Sequence, residues 1–387
     1  MRIGVMLREI GNQEDAPGII VRNLVDHILL EDRKNQYVLF FQADAFIKNY
    51  RSRERVEIVR VKAPTKFLWD QIAVPWVARK KKLDLLFHPK HSIPLLANTK
   101  TVMHLRGPEY WIHPKHYELL DLAYQRVFLH LFSRRATHLI AESRYARDEF
   151  RRRLSIPKHK ISVVYLAPNG RFAPIEDSRV LQSCAQKYSL PARFALTVTR
   201  VVQGKKFYPG KNILKIVEAF ASSEASKSMK LVIAGRRTRE FVENFGARHR
   251  WPTDSLLPLD FVPQEDLPAI YNLAEFFVFP SKNESFGIPI VEAMACGCPV
   301  ITSTTSACPE VAGDAAQLVD PESTAEISAA IDRLATDAGL RASLARLGIR
   351  QAGKFNWSDA ASETIRILET LAAPTGLPGG EGAGGDT

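Results

Sequence analysis

The sequence has no long uninterrupted apolar run. In the opening MRIGVML, Arg8 and Glu9 end the apolar character before it reaches the length of a signal peptide core or a bilayer span. No later stretch of the 387 residues reaches the ~18 apolar residues that a transmembrane helix needs. We therefore predict a cytoplasmic protein without a transmembrane segment.

Cysteine is also scarce, with four in the chain: Cys184, Cys296, Cys298 and Cys308. Cys296 and Cys298 lie too close in sequence to form an ordinary disulfide with each other, which favours free thiols. A zinc site built from Cys296, Cys298 and Cys308 is the alternative, but it lacks the paired Cys-x-x-Cys or histidine ligands of such sites. We therefore expect no metal.

Acidic residues are outnumbered in the first half of the chain. Residues 1–190 hold 33 Lys and Arg against 19 Asp and Glu, whereas residues 191–387 hold 20 against 23. The net charge of +11 thus arises in the N-terminal half, with clusters at 79–82 and 151–153. Such clusters attract an anionic membrane, nucleic acid or a phosphate-bearing acceptor. A solvated basic surface is the ordinary alternative.

Two similar series of short apolar runs alternate with longer amphipathic segments. Short buried runs between helical patterns indicate parallel sheets covered by helices on both faces. The predicted strands are residues 3–7, 37–41, 56–61, 83–88, 101–105, 137–143 and 161–166, then 194–200, 230–235, 259–262, 276–281, 299–303 and 316–320. The predicted helices are residues 18–30, 118–132, 144–154, 212–221, 267–274 and 324–334.

These patterns predict an α/β protein with two doubly wound, Rossmann-like domains that face a central cleft. The domains are assigned to residues 1–175 and 190–355, joined through the Pro-rich and polar stretch 167–178. An amphipathic C-terminal helix at 356–373 is expected to pack back on the N-terminal domain. The Gly-rich tail at 374–387 buries too little apolar area to order and is predicted to be disordered.

The stretch FVFPSKNESFGIPIVEAMACGCPVITS combines a strand, a loop, a helix and a second strand. Pro289 suits a first helical turn and Gly297 suits a helix end, so a helix is predicted over 289–296. Free N–H groups around Gly287 and Ile288 would favour an anion at the mouth of the cleft. Gly287 also lets the backbone approach a ligand closely.

Two carboxylates flank this helix start, Glu284 in the loop and Glu292 within the helix. A carboxylate near a helix N-terminus is expected to remain ionised and to accept two hydrogen bonds from a vicinal diol, as on a ribose. The loop carboxylate can accept from the hydroxyls of a sugar. A surface helix with incidental glutamates is the alternative.

The same stretch resembles the E-x7-E region of retaining GT-B glycosyltransferases, the glycosyltransferase group 1 family (family GT4). The matching residues are Glu284, Phe286, Gly287, Pro289, Glu292, Ala293, Met294, Gly297 and Pro299. Residues 307–315 and the Phe355-Asn-Trp357 segment resemble further parts of the family pattern. The resemblance covers residues 190–372 well and the N-terminal half loosely, and it implies a GT-B fold.

The resemblance also implies roles on the donor side of the site. Glu292 would bind the donor ribose and Glu284 would contact the transferred sugar. Backbone amides from Phe286 through Gly287 to Ile288 would hold the diphosphate. Val262 begins the loop that is expected to select the base.

The family places an Arg and a Lys after the first strand of the C-terminal domain, and Arg200 and Lys211 stand there. Cations at those places would stabilise the departing diphosphate in place of a divalent metal. The insertion VVQGKKFYPG lengthens the link between them, so Lys205 or Lys206 could share or replace the role of Lys211. A solvated basic loop is the alternative.

The N-terminal half carries two weaker matches. Gly18 resembles the glycine of the family's loop near the diphosphate and acceptor. His104 resembles the histidine of a His-Asp pair near the reaction centre, although Leu105 replaces the Asp. An ordinary histidine at a strand end is the alternative for His104.

The resemblance implies a metal-independent, retaining hexosyltransferase without a cofactor. Its donor would be GDP-mannose or a UDP-hexose, and its acceptor a glycan or a lipid-linked glycan in surface polysaccharide or glycolipid biosynthesis. The basic N-terminal domain would associate peripherally with an anionic membrane, and no nucleic acid partner is expected. A nucleotide-sugar epimerase or hydrolase on the same fold, or a catalytically idle basic binding protein, are the alternatives.

Overall fold

The computed structural model describes residues 1–8, 10, 16–44, 46–51, 53–112, 114–116, 118–199, 209–249 and 251–372. The predicted fold class is confirmed, because these residues form two α/β domains, each built on a parallel sheet. Arg200, Lys205, Lys206 and the predicted tail at 374–387 lie outside the described residues. In the part of the chain that is described, no helix is long and apolar enough to cross a membrane.

Seven parallel strands of the described chain form the N-terminal sheet. They are β1 (Arg2–Met6), β2 (Gln36–Phe41), β3 (Val56–Arg60), β4 (Leu85–His88), β5 (Lys100–Leu105), β6 (His138–Ala141) and β7 (Ile161–Val163). The spatial order is β3-β2-β1-β4-β5-β6-β7, so the direction of winding reverses between β1 and β4. The central strands are buried on both faces, which explains their continuous apolar sequences.

The C-terminal sheet has six parallel strands among the described residues. They are β8 (Phe194–Val198), β9 (Lys230–Ala234), β10 (Leu256–Asp260), β11 (Phe276–Phe279), β12 (Val300–Ser303) and β13 (Ala316–Val319). Their order is β10-β9-β8-β11-β12-β13, with the reversal between β8 and β11. Ligands of open α/β sheets bind outside the carboxyl ends of the strands at such a reversal.

The predicted strand at 259–262 was wrong in its bounds, since β10 covers Leu256–Asp260. Its register is set by β9, with Leu256 opposite Leu231. β10 is an edge strand, so it tolerates Pro258 and a bulge between Pro258 and Asp260. Pairing with β9 therefore overrides the local apolar pattern.

Helices cover the sheets on both faces. They are α1 (Ala16–Glu31), α2 (Lys66–Leu68), α3 (Val74–Lys80), α4 (Glu109–Ile112), α5 (Leu119–Arg135), α6 (Arg144–Leu154), α7 (Ser178–Tyr188), α8 (Ile213–Ser222), α9 (Thr238–His249), α10 (Leu267–Leu273), α11 (Ile288–Ala295), α12 (Cys308–Ala312), α13 (Thr324–Thr336), α14 (Ala338–Ala352) and α15 (Trp357–Ala372). The sequence patterns missed α4, α7, α9, α12, α14 and the α2–α3 segment. A π-helical turn, Trp69–Ala73, joins α2 to α3 and breaks the regular helical spacing there.

The last helix, α15, lies against α1 of the N-terminal domain. Ser358 Oγ donates to Glu31 Oε1 at 2.7 Å, and Lys100 Nζ donates to the carbonyl of Leu371 at 2.7 Å. The rings of Trp357 and His27 lie 6.4 Å apart. The chain therefore returns from the C-terminal domain and joins the two domains a second time.

A single carboxylate ties the domains together at the cleft. Glu310 of α12 accepts hydrogen bonds from the backbone N–H groups of Arg144 and Tyr145 at 2.8 and 3.0 Å, and from Tyr165 Oη at 2.8 Å. Those amides belong to the first turn of α6, where N–H groups have no partner within the helix. Glu310 thus caps a helix of the opposite domain.

Candidate active site

A cavity of about 290 Å³ lies between the two domains. Among the residues that sequence analysis singled out, its lining contains Lys211, Glu284, Phe286, Gly287, Ile288 and Glu292. Residues that are far apart in the sequence of the C-terminal domain therefore line the same cavity. Ile19, Ile20, Asn23 and Glu142 supply part of the facing N-terminal wall. The functional roles of these residues stay predictions.

The start of α11 forms one wall of the cavity. Gly287 is the residue before the helix and has a φ of 96°, a left-handed conformation that L side chains rarely adopt. A Cβ atom on Gly287 would lie 3.0 Å from Ile290 Cδ1. The helix runs from Ile288 to Ala295, one residue earlier at each end than predicted, with Pro289 in its first turn. Gly287 and Ile288 at this helix start line the cavity, and the first N–H groups of a helix have no partner within the helix.

Lys211 and Glu284 form an ion pair inside the cavity, with 2.6 Å between Nζ and Oε1. The same carboxylate oxygen accepts from Ser281 Oγ at 2.7 Å, and the Glu284 N–H donates to Ser306 Oγ at 3.0 Å. The Lys211 ammonium also lies 4.9 Å from the centre of the Phe279 ring. Both charged groups are thus held in fixed positions before any ligand enters.

Asn212 anchors the segment that carries Lys211. Its backbone is left-handed, with a φ of 56°, and its buried side chain donates to the carbonyls of Pro280 and Pro321 at 3.0 and 2.7 Å. Asparagine tolerates this conformation better than most residues. The start of α8 is therefore fixed to the loop that follows β11.

Glu292 lies one turn into α11 and is buried. Burial raises the pKa of its carboxyl to about 7, although a 3.5 Å hydrogen bond from Tyr271 Oη and the charge of Lys211 both lower it. Burial therefore opposes the ionised form that the sequence pattern predicts for Glu292, and the role of this residue stays a prediction. Glu292 sits beyond the free amides of the helix start, where desolvation outweighs the helix dipole.

Three other predicted residues lie outside this lining. His104 is fully buried in β5, and neither ring nitrogen has a hydrogen-bond partner among the described residues. Burial lowers its pKa, and the charges of Arg106 and His91 lower it further, so the ring is neutral at pH 7. Gly18 and Val262 are also buried, one residue before the lining residue Ile19 and two before the lining residue Gln264. Their roles stay predictions.

Sequence analysis missed an acidic group on the N-terminal side. Glu142 follows β6 directly and accepts a hydrogen bond from Ser285 Oγ at 2.8 Å, with Arg106 Nε 3.4 Å from its other oxygen. Glu109 lies near enough for Glu142 and Glu284 to influence its carboxyl, and burial raises its pKa to about 7. The available signal was an acidic residue at the carboxyl end of a parallel strand.

The candidate metal ligands are not assembled in this region. Within the described ranges, no group of three or more His, Cys, Asp or Glu side chains is arranged to hold a metal ion. Cys184, Cys296, Cys298 and Cys308 are all buried with free thiols.

Comparison with known proteins identifies the family. The family model described as glycosyl transferases group 1 matches residues 194–351. The O-antigen chain mannosyltransferase B of Escherichia coli is 32% identical over 311 residues, which are 76% of this chain and 77% of that protein. The serotype-specific mannosyltransferase WbdA of Escherichia coli is 29% identical over 247 residues, 61% of this chain but 29% of WbdA.

A solved structure extends the similarity to the whole fold. Anabaena Alr3699/HepE, crystallised with UDP and glucose, superimposes with a TM-score of 0.73 at 17% identity, covering 96% of this chain and 100% of that one. Together with the two parallel sheets, this confirms the GT-B fold. The chain therefore belongs to the glycosyl transferases group 1 family.

Proposed function

We propose that the protein transfers a hexose from a nucleotide diphosphate sugar to a hydroxyl group of a glycan or lipid-linked glycan, with retention at the anomeric carbon. The observation that carries this proposal is that Lys211, Glu284, Glu292 and the N-terminus of α11 line a single cavity between the domains. Each group complements a part of such a donor. The ammonium and the helix amides suit the diphosphate, and the carboxylates suit hydroxyl groups.

Mannose from GDP-mannose is the first donor to test, because the relatives described above are named as mannosyltransferases. A UDP-hexose is the second, since the Anabaena neighbour was crystallised with UDP and glucose. The same relatives support a role in surface polysaccharide biosynthesis, in which the acceptor would be a growing glycan.

In the proposed reaction, negative charge develops on the diphosphate as the sugar becomes oxocarbenium-like. Lys211, Arg200 and the amides around Gly287 would stabilise that charge, and stabilisation that increases in the transition state accelerates the step. The acceptor hydroxyl would approach the face from which the diphosphate leaves. No side chain acts as a covalent nucleophile, and the two cations replace a divalent metal.

The test is incubation of the purified protein with GDP-mannose, UDP-glucose or UDP-galactose and octyl α-D-mannopyranoside, with and without EDTA. We expect a disaccharide glycoside with the anomeric configuration of the donor, formed equally in EDTA. An inverted product would contradict retention, and loss of product in EDTA would contradict metal independence. Release of free sugar or of an epimerised donor, without a glycoside, would identify a hydrolase or an epimerase instead.

We also propose that the N-terminal domain binds an anionic membrane surface, and exposed apolar side chains support this. Ile72 and Trp76 are 59% and 60% exposed, one helical turn apart, and Lys80 Nζ lies 3.4 Å from the centre of the Trp76 ring. Phe67 is exposed too and contacts Phe128 of α5. Aromatic rings beside exposed cations are typical of surfaces that lie at a lipid headgroup layer.

The exposed Leu96 joins this surface. Gln71 Oε1 accepts from the N–H of Leu95 at 2.9 Å, which places the Leu96 loop beside Ile72. Arg135 Nη2 donates to the carbonyl of Ala97 at 2.7 Å and links the same loop to the end of α5. The loop that carries Leu96 is therefore tied both to the segment that carries Ile72 and to the end of α5.

The second basic cluster, at residues 151–153, contributes less unpaired positive charge to the surface. Arg152 and Arg153 both pair with Glu149 within α6, at 2.8 and 2.9 Å, and Arg151 lies 3.6 Å from Asp148. By contrast, Arg79 and Lys80 are exposed beside Trp76. The proposed membrane surface therefore centres on α3.

Vesicle flotation tests this surface. The protein should float with vesicles of 30% phosphatidylglycerol at low salt, and Trp76→Ser should reduce the bound fraction at least threefold. Ile349→Ser, which removes an exposed apolar side chain from the C-terminal domain, is the matched control and should bind like the wild type. Equal binding by all three proteins, or none to anionic vesicles, would contradict the proposed surface.

A further inference from the structure

Glu142 forms part of the N-terminal wall of the cavity, opposite the groups that suit the donor. It stands between the end of β6 and Ser143, the residue that caps α6, and its side chain is almost wholly removed from water, with the residue 3% exposed. Burying a carboxylate is costly unless it is paired and hydrogen-bonded. The hydrogen-bond and charge partners of Glu142 therefore indicate its function.

The two carboxylate oxygens are used differently. Oε2 accepts a hydrogen bond from Ser285 Oγ at 2.8 Å. Oε1 accepts none from the residues that the structure describes, although Arg106 Nε lies 3.4 Å away and compensates the charge. A carboxylate oxygen has two lone pairs. Oε1 is itself buried beside the cavity that Glu142 lines, and it retains unused capacity to accept a hydrogen bond from a ligand that reaches it.

The position of Glu142 is fixed relative to the donor side. Ser143 Oγ donates to the carbonyl of Ser285 at 2.6 Å and accepts from the N–H of Ala146 at 3.0 Å. Two successive residues of the N-terminal domain thus hold Ser285, the neighbour of Glu284. A ligand contacting Glu142 would lie next to the sugar that Glu284 contacts.

We propose that Glu142 is the acceptor-recognition residue, whose Oε1 accepts a hydrogen bond from a hydroxyl of the acceptor sugar. This rests on the proposed transferase function. The lining groups proposed to hold the donor, namely Lys211, Glu284, Glu292 and the start of α11, belong to the C-terminal domain, so a carboxylate on the facing wall is available to the second substrate.

Kinetics with octyl α-D-mannopyranoside and its four monodeoxy analogues test the proposal. In Glu142→Ala we expect the acceptor KM to rise at least tenfold, while the dissociation constant for GDP changes less than twofold. One monodeoxy analogue should be at least tenfold poorer than the parent for the wild type and equal to it for the variant.

Ser285→Ala separates recognition from positioning, because it removes the bond to Oε2 and leaves Oε1 in place. A purely structural role for Glu142 would make both variants weaken GDP binding and keep the wild-type ranking of the deoxy analogues. That result, or an unchanged acceptor KM in Glu142→Ala, would overturn the proposal.

A binding measurement tests acceptor recognition by Glu142 without requiring turnover. Saturation-transfer NMR should detect octyl α-D-mannopyranoside on the GDP-loaded wild type and not on GDP-loaded Glu142→Ala. Equal signals would overturn the inference. A wild type that binds the glycoside but transfers no sugar to it would count against the proposed function instead, so the two failures are distinguishable.

Discussion

The ammonium of Lys211 and the carboxylate of Glu284 lie 2.6 Å apart, so the proposed diphosphate-binding cation is held by the proposed sugar-binding carboxylate. The pair joins the start of α8 to the loop after β11. Preorganised charges of this kind cost no reorganisation at the moment of reaction. The relationship also means that neither residue can be changed without affecting the other.

Lys211→Met should lower kcat for hexose transfer by about 10²- to 10³-fold, the usual effect of removing one group that stabilises developing charge. The donor KM should change much less. Lys227→Met, which removes an exposed lysine paired with Glu224, is the matched control and should have wild-type kinetics. Steady-state rates with GDP-mannose measure both, and wild-type turnover by Lys211→Met would contradict the role of Lys211.

The lysines of the insertion offer a competing source of charge. If Lys211 is the main cation, the double variant Lys205→Ala/Lys206→Ala should keep kcat within about threefold of the wild type. A larger loss in the double variant than in Lys211→Met would transfer the role to the insertion. The two sets of rates should be compared at one ionic strength, because salt screens exposed charges.

Arg200→Ala should lower turnover by about 10²-fold, since Arg200 is the second cation proposed to stabilise the leaving diphosphate. Arg179→Ala, which removes an exposed arginine of α7, is the matched control. Donor affinity, measured by calorimetry with GDP, should fall less than turnover. Equal rates for the wild type and Arg200→Ala would exclude Arg200 from the reaction.

Nucleotide binding should strengthen as pH rises through 7, because Glu292 accepts ribose hydroxyls best when ionised and burial raises its pKa to about 7. Glu292→Gln should bind GDP more weakly at pH 8 and lose most of this pH dependence. The phosphates of GDP titrate alike with both proteins. The difference between the two curves of GDP affinity against pH therefore reports the ionisation of Glu292 alone. Parallel curves from calorimetry between pH 5.5 and 8.5 would contradict the prediction.

The same carboxyl also affects stability. Its folded pKa of about 7 exceeds the ordinary value of 4.5, so its contribution to the free energy of unfolding is complete below pH 4.5 and is lost as pH rises through 7. Glu292→Gln should therefore lose less stability than the wild type between pH 5 and 8, by about 1 to 3 kcal/mol. Urea unfolding at the two pH values measures this difference.

Gly287→Ala should destabilise the protein by about 1 to 2 kcal/mol and weaken GDP binding, because the left-handed φ of 96° disfavours a Cβ atom. The added methyl would also press on Ile290 Cδ1, 3.0 Å away. Gly170→Ala is the matched control, since nothing lies within 4 Å of a Cβ there. Equal unfolding midpoints in urea for the two variants would show that the conformation of Gly287 is not required.

The alternation of short apolar runs and amphipathic segments was sufficient to predict two parallel α/β domains, and the E-x7-E stretch was sufficient to predict a donor site. Both signals are local. Burial on both faces demands a continuous apolar strand, and Pro289 and Gly287 act on the backbone of their own helix start. The bounds of β10 and the π-helical turn escaped prediction because pairing and packing decide them.

The sequence by itself therefore determined the fold class and the chemical character of the C-terminal wall, since both depend on neighbours along the chain. Only the tertiary structure decided that Glu142 bonds Ser285, that Glu310 caps α6, and that burial raises the pKa of Glu292 to about 7. Each of these depends on groups from distant segments that remove a carboxylate from water. Desolvation and long-range pairing are properties of the assembled cleft, which no local pattern encodes.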